Sequence, residues 1–435
     1  MKKQRILLLG GNYIPEPTGI GKYNGEMIDW LSKEGYECAV ITSYPYYPYW
    51  KAQPPYEKKS FWFTREEALV HDTRIRVYRC PHYIPKSPSG LKRILSDLSF
   101  FISSFFQLFI LLFCKKFDYV IAVVPPFQLG LLGVFYKWIK GAKFIYHVQD
   151  LQIEAAKELN MISSKLLLKL MFGIENIILK KADHISSISD GMIRKIVAKC
   201  KKPVISFPNW VDTAAFHPIS RKSVLKQQFN FSPAEKIVLY SGAIGEKQGL
   251  DAILYAAQEL RDLPVTFVIC GSGPYKEKLH ALMTKLQLQN VTFLPLQPKE
   301  KFNEFLNMAD LHLVLQKRNA NDLVMPSKLS TILSVGGLAL VTAPKESSLY
   351  EIISRHEMGI LVEPEDAAAL TTSIRKALQE SFGSTQDNAR AFADEHLTIN
   401  KVLCKFLYEV RITKKSLTLV KTIPEEPIKA DLLSA

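Results

Sequence analysis

The sequence predicts an α/β protein of two domains, each built on a doubly wound parallel sheet. Three observations carry that prediction. The chain has 435 residues, more than a single hydrophobic core ordinarily organises. Its apolar runs are short and β-branched and alternate with helical stretches, which implies parallel strands joined by right-handed crossovers. The alternation also runs through two separate series.

The first series sets strands at Arg5 to Leu9, Glu37 to Thr42, Arg74 to Arg79, Asp118 to Val124, Lys143 to Val148, His184 to Ser187 and Val204 to Phe207. The second sets them at Lys236 to Tyr240, Val265 to Cys270, Val291 to Leu294, Leu311 to Leu315, Leu338 to Thr342 and Ile360 to Val362. Between them, Pro208-Asn209-Trp210-Val211-Asp212, Phe216-His217-Pro218 and a polar stretch to Ser232-Pro233 read as an interdomain connection. Domains are therefore expected at 1–207 and 208–390. A helical segment at 391–415 follows, then a loose tail at 416–435 that holds Pro424-Glu425-Glu426-Pro427.

Hydrophobic residues make up 47% of the chain and charged residues 23%, a balance that supplies two buried cores and excludes a disordered protein. Cys38, Cys80, Cys114, Cys200, Cys270 and Cys404 are scattered singly, which excludes a disulfide framework or zinc spacing and fits a reducing cytoplasm. After Met1-Lys2-Lys3-Gln4-Arg5 the apolar run from Ile6 stops at Leu9, so it reads as a first strand and not as an export signal. The net charge of +14 favours phosphates, nucleic acid or an anionic membrane surface as partner. No basic stripe studded with aromatics accompanies it, so no nucleic acid is expected. Leu98 to Cys114 is almost wholly apolar and is bracketed by Lys92-Arg93 and Lys115-Lys116. It reads as a buried crossover helix, a helix lying at the bilayer interface, or a short membrane span. A span would put the two halves of one sheet on opposite sides of the membrane.

Candidate functional residues cluster at strand ends, where parallel sheets place ligands. The first strand runs into Gly10-Gly11-Asn12 and Thr18-Gly19-Ile20-Gly21 ahead of a helix, so Gly19 and Gly21 can bring backbone N–H groups to a phosphate or a sugar hydroxyl. The spacing is not a dinucleotide fingerprint, and no acidic residue closes the second strand, which speaks against a nicotinamide or flavin. A later strand ends Tyr146-His147-Val148-Gln149-Asp150. There His147 can stabilise developing charge and Asp150 can accept a proton from an attacking hydroxyl. In the second half Gly242 and Lys247 lie in a strand-to-helix turn that suits a diphosphate, and Gly271 and Gly273 shape the next such turn. Pro326-Ser327-Lys328 opens a helix with N–H groups, a hydroxyl and a cation. A lysine there works against the helix dipole, and that local cost speaks for a phosphate at Ser327 and Lys328.

The blocks Asn12 to Gly21, His147 to Asp150, Pro208 to Asp212, Tyr240 to Gly249, and Pro326 to Leu329 with Val335-Gly336-Gly337 run in order over nearly the whole chain. Together they resemble the retaining GT-B glycosyltransferases of the family 4 type, and are most similar to the branch of colanic-acid biosynthesis fucosyltransferases. The resemblance implies the GT-B fold: two Rossmann-like doubly wound parallel-sheet domains facing across a cleft, the acceptor on the first half and the donor nucleotide on the second. By position, Lys247 and Lys328 would hold the donor diphosphate, Gly271 to Pro274 would line the base side, and His147 would face the donor sugar. The implied reaction moves a sugar, with retention, from a nucleotide-diphosphate donor of the GDP-fucose kind to a polyprenyl-diphosphate-linked saccharide in exopolysaccharide biosynthesis. The expected place is cytoplasmic, peripheral at the inner face of the cytoplasmic membrane.

The chain departs from the family in two respects. Ala243-Ile244 stands where it carries an arginine, and Leu323 and Thr331 stand where it carries glutamates eight residues apart. A further family acid falls on Glu346 or Glu351, of which Glu351 is assigned to the donor. No Asp-x-Asp clamp occurs. Lysines and helix N-termini can neutralise the leaving group, so neither a metal nor another cofactor is expected. The alternative on the same scaffold is a nucleotide-sugar 2-epimerase, which has no use for an apolar, basic-flanked face.

Overall fold

A computed structural model describes residues 3–16, 19–70, 73–87, 89–158, 162, 164–318 and 327–412. The first half holds strands β1 (Arg5–Gly10), β2 (Glu37–Ser43), β3 (Thr64–Val70), β4 (Thr73–Cys80), β5 (Tyr119–Val124), β6 (Lys143–Val148), β7 (His184–Ser187) and β8 (Ile205–Ser206). Its helices are α1 (Gly19–Lys33), α2 (Gly90–Leu112), α3 (Leu129–Lys140), α4 (Gln152–Glu158), α5 (Lys165–Lys181) and α6 (Asp190–Cys200). The second half holds β9 (Lys236–Ser241), β10 (Val265–Cys270), β11 (Val291–Leu294), β12 (Leu311–Val314), β13 (Ala339–Thr342) and β14 (Ile360–Val362). Around them lie α7 (Lys222–Gln228), α8 (Asp251–Glu259), α9 (Lys276–Lys285), α10 (Phe302–Asn307), α11 (Ser327–Ser334), α12 (Ser348–Arg355), α13 (Ala367–Gln379), α14 (Gly383–His396) and α15 (Ile399–Glu409).

The first sheet runs β3-β4-β2-β1-β5-β6-β7-β8 and the second β11-β10-β9-β12-β13-β14. Both reverse direction beside their first parallel strand, between β1 and β5 and between β9 and β12. Ligands of such sheets bind beyond the carboxyl ends of the strands at that switch point. The central strands are buried along their whole length and largely apolar because helices cover both faces: all six residues of β1 and of β10 are buried. Leu8 sits in parallel register between Val40 of β2 and Ile121 of β5.

One strand has no counterpart in the sequence expectation. β3 pairs antiparallel with β4 along the edge of the first sheet, and its TREEALV is largely solvent-facing. It is held by charge as well as by the ladder: the buried Arg79 guanidinium of β4 meets Glu66 of β3 at 2.6 Å. Such a strand has no apolar alternation for a sequence reading to detect.

The C-terminal helices cross between the halves. α14 packs on α11 of the second domain through Ala389, Phe392 and Ala393. α15 then returns to the first domain, where Val402, Leu403, Phe406 and Leu407 join Ile6, Leu8 and Val40. Phe406 stacks on Phe207 with ring centroids 3.9 Å apart, and Trp30 Nε1 donates to Asn400 Oδ1 at 2.6 Å. The segment expected as a separate helical unit at 391–415 is therefore shared, α14 with the second core and α15 with the first. Residues 413–415 and the expected tail at 416–435 lie outside the described residues.

Candidate active site

The second-domain switch point gathers three turns. After β9, the chain turns at Gly242; after β10, at Gly271 and Gly273. The two turns are zipped backbone to backbone: Gly242 N donates to Cys270 O at 3.0 Å and Ile244 N to Ser272 O at 2.9 Å. A Cβ on Gly271 would fall 1.9 Å from Gly242 O, and one on Gly273 would fall 2.2 Å from Ile244 O. Both glycines also hold positive φ, at 155° and 156°. Only glycine satisfies both conditions, so these residues build the floor of the crevice. The third turn follows β12, where Lys317 N donates to Lys247 O at 2.9 Å. It leads into α11, whose first two residues are Ser327 and Lys328. Pro326 and Leu323 lie outside the described residues.

Lys328 is the centre of this crevice. Its Nζ lies 3.6 Å above the centroid of the Tyr240 ring, in the range of a strong cation–π contact. A Cβ on Gly242 would come within 3.1 Å of it. The amine is shielded from water and has no hydrogen-bond partner among the described residues. Burial pushes its pKa down to about 7. An ammonium with three donors and none satisfied carries a desolvation cost that an anionic oxygen would remove. The ring below it is fixed in turn, since Tyr240 Oη donates to Ala243 O at 2.6 Å. Tyr240 is a component the sequence reading missed, because an aromatic residue at a strand end has no spacing that marks it.

The opposite wall belongs to the first domain. Asp150 follows β6, and its Oδ1 is buried without a hydrogen-bond partner among the described residues. Burial raises its pKa to about 6, against the lowering influence of Lys247 from the other domain. The structure thus brings Asp150, Lys247 and the Lys328 crevice to one cleft. Beside Asp150, Gln152 donates to Asp97 Oδ2 at 2.7 Å and accepts from Phe127 N at 3.0 Å. Asp97 lines a recess of about 40 Å³ with Asn12, Ser43, Tyr46, His82 and Pro126. Both ring nitrogens of His82 are buried there without partners among the described residues, and burial lowers its pKa to about 4.

Two expected site residues stand elsewhere. His147 does not face the cleft: it is 2% exposed, its Nδ1 shares a hydrogen bond with Ser186 Oγ at 3.0 Å, and its ring lies 4.8 Å from that of Phe207. Burial drops its pKa to about 3, so it is a neutral core residue. This corrects its assignment to the donor sugar. Gly21 is likewise filled by the protein's own carboxylate. Glu16 is buried against it, with Oε2 2.8 Å from where a Gly21 Cβ would sit. Glu16 also accepts from Asn12 Nδ2 at 2.8 Å and from Tyr46 N and Tyr47 N at 2.9 and 3.0 Å. A side chain at this position would collide with Glu16, so the glycine here serves the packing of that buried carboxylate. Gly19 remains exposed at the first turn of α1 with φ of 64°; Thr18 lies outside the described residues.

Glu351 occupies the first turn of α12 at the rim of the cleft. It pairs with Arg355 at 2.6 Å and with Arg194 of α6, in the first domain, at 3.6 Å. Arg194 is a second residue the sequence did not mark.

Two families match successive stretches of the chain. Residues 18–210 match the family described as glycosyl transferase 4-like domain, and residues 222–396 match that described as glycosyl transferases group 1. An Escherichia coli K12 protein that bears the name colanic acid biosynthesis glycosyl transferase WcaI is 39% identical over 416 residues, covering 94% of this chain and 100% of its own. Sucrose-phosphate synthase from Thermosynechococcus elongatus superposes with a TM-score of 0.73 at 17% identity, covering 94% of this chain and 99% of that one. Anabaena HepE, solved in complex with UDP and glucose, gives 0.68 at 14% identity, covering 94% and 100%. Two doubly wound domains on the GT-B fold, matched along both halves, show that the chain belongs to the glycosyltransferase family that joins a glycosyl transferase 4-like domain to a group 1 domain.

Proposed function

We propose that the protein transfers a sugar, with retention, from a nucleotide-diphosphate donor to a polyprenyl-diphosphate-linked saccharide in the assembly of a colanic-acid-like exopolysaccharide. The observation that carries the donor half of this reading is Lys328 Nζ, buried over Tyr240 beside Gly242 without a hydrogen-bond partner among the described residues. An anionic diphosphate supplies the oxygens that this amine lacks. HepE, the similar structure that holds UDP and glucose, supports a nucleotide sugar as the donor. The E. coli relative's name supports exopolysaccharide assembly, and GDP-fucose is our first choice of donor from the sequence motifs. The family match sets the 2-epimerase reading aside.

In the proposed reaction the bond from the anomeric carbon to the diphosphate oxygen breaks as the acceptor hydroxyl attacks from the same face. Lys328, Lys247 and the N-terminus of α11 neutralise the charge that develops on the leaving group. Asp150, ionised near neutrality with its pKa of about 6, accepts a hydrogen bond from the attacking hydroxyl and orients it. The acceptor proton passes to the departing diphosphate oxygen. The cations come from the chain, so the reaction requires neither a divalent metal nor a resident cofactor. The transfer occurs on the cytoplasmic side of a membrane that carries the lipid-linked acceptor.

The test is to incubate the protein with GDP-fucose and a lipid-linked oligosaccharide extract, with and without chelator, and to read the anomeric configuration of the product by NMR. A product that keeps the donor's configuration and forms equally with chelator is expected. An inverted product, or activity that returns only with magnesium or manganese, contradicts the reading.

A further inference from the structure

The helix α2 is amphipathic in the wrong sense for a helix in water. Its polar residues Ser96, Ser103, Ser104 and Gln107 are buried against the first domain, alongside Phe100, Leu108 and Leu111. Its outward face carries Leu98, Ile102, Phe105, Phe106, Phe109 and Ile110, each at least 36% exposed, and Phe113 follows at 80%. At 23 residues the helix is long and apolar enough to cross a membrane, yet its inner face is part of the core beneath the sheet. Pulling it into a span would strip Phe100 and Leu108 from that core.

The exposed apolar surface continues beyond α2. Phe105 meets Phe135 of α3 with ring centroids 5.5 Å apart, and Trp138, one turn further along α3, is 81% exposed. α3 in turn contacts α5, whose Leu166, Leu170 and Ile177 face outward. A soluble surface does not ordinarily expose so large a contiguous apolar area.

Charge on this layer has one sign. α3 contains no acidic residue. The single acid of α2, Asp97, is turned into the recess and held by Gln152. The single acid of α5, Glu175, is buried and paired with Lys199. Exposed Lys92, Lys115, Lys116, Lys169 and Lys181 rim the apolar face. An aromatic surface edged with lysines and free of exposed acids complements the negative headgroups of a bilayer with acyl chains behind them.

We infer that the outer face of α2, α3 and α5 docks on an anionic phospholipid surface, with the helices lying in its plane. Resting on the transferase reading, this docking also places the acceptor. Ser96 and Asp97 line the recess beside the cleft while Leu95 and Leu98 face outward. One turn of α2 therefore separates the bilayer from the wall where an acceptor would be held.

The test is sedimentation of the full chain, without nucleotide, with vesicles of phosphatidylglycerol and phosphatidylethanolamine and with vesicles of phosphatidylcholine alone. Binding to the first and release by high salt are expected, with little binding to the second. Phe106→Ser combined with Phe109→Ser should lower partitioning at least about tenfold, given the apolar area removed. Each of Lys115→Gln, Lys169→Gln and Lys181→Gln should lower it roughly fivefold. Partitioning of these variants equal to wild type overturns the inference. So does resistance to alkaline extraction, which marks a span, or a lipid-free dimer that the two Phe substitutions dissociate, which marks a copy-to-copy interface. Nucleotide binding measured on the same variants should not change, so failure of the docking and failure of the donor site read separately.

Discussion

Lys328 carries a conflict that the fold imposes. The amine is buried over an aromatic ring with a pKa lowered to about 7, so much of it is neutral in the free protein above that pH. A bound diphosphate favours the ammonium and raises the pKa again. The sign follows: above neutrality, binding must take up a proton, and affinity must fall as pH rises, by up to about tenfold per unit. Calorimetry of a nucleotide sugar at about pH 8, in two buffers of different ionisation enthalpy, should show uptake approaching one proton. Lys328→Met should abolish that uptake; equal uptake in the variant would remove Lys328 from the site. The Ser327-Lys328 pair and the turn glycines Gly242, Gly271 and Gly273 can be singled out in the sequence because a lysine at a helix start and glycines after strands are locally costly. The burial of His147 cannot. A sequence shows that a residue ends a strand but not which partners flank it, and here Ser186 and Phe207, from later elements, bury the ring.

At the scale of elements, the interior strands were legible because burial on both faces demands continuous apolar runs, as in β1, β5 and β10. β3 was not, since its charged sequence is fixed by Arg79 of its neighbour. α15 shows the same limit differently. Its helical character follows from Val402, Leu403, Phe406 and Leu407, but no local pattern says that this face returns to a core formed by the first strands of the chain. Its contribution is measurable. Phe406 is 1% exposed and stacked on Phe207. Phe406→Ala should therefore cost about 3–5 kcal/mol of stability, the range for a buried phenylalanine. Denaturant unfolding checks this, and a loss under about 1 kcal/mol would mean that α15 is not part of the first core.

At the scale of the molecule, two sheets of matching design set their switch points toward one cleft. The contacts at its rim are polar. Arg194 meets Glu351 at 3.6 Å with both side chains about half exposed, a pair worth at most about 1 kcal/mol. Lys247 faces Asp150 from the other domain. Polar pairs of this kind among the described residues, with α15 as a return strap, suit opening and closing around a ligand. The claim on which the reading depends is that the second half holds a diphosphate through Lys328. Calorimetric titration of wild type and Lys328→Ala with GDP and with UDP, at about pH 7 where the amine is partly charged, tests it most directly. One of the two nucleotides should bind wild type at a single site, and the substitution should weaken it at least about tenfold, or roughly 1.4 kcal/mol. Equal affinity in a folded variant would contradict the account.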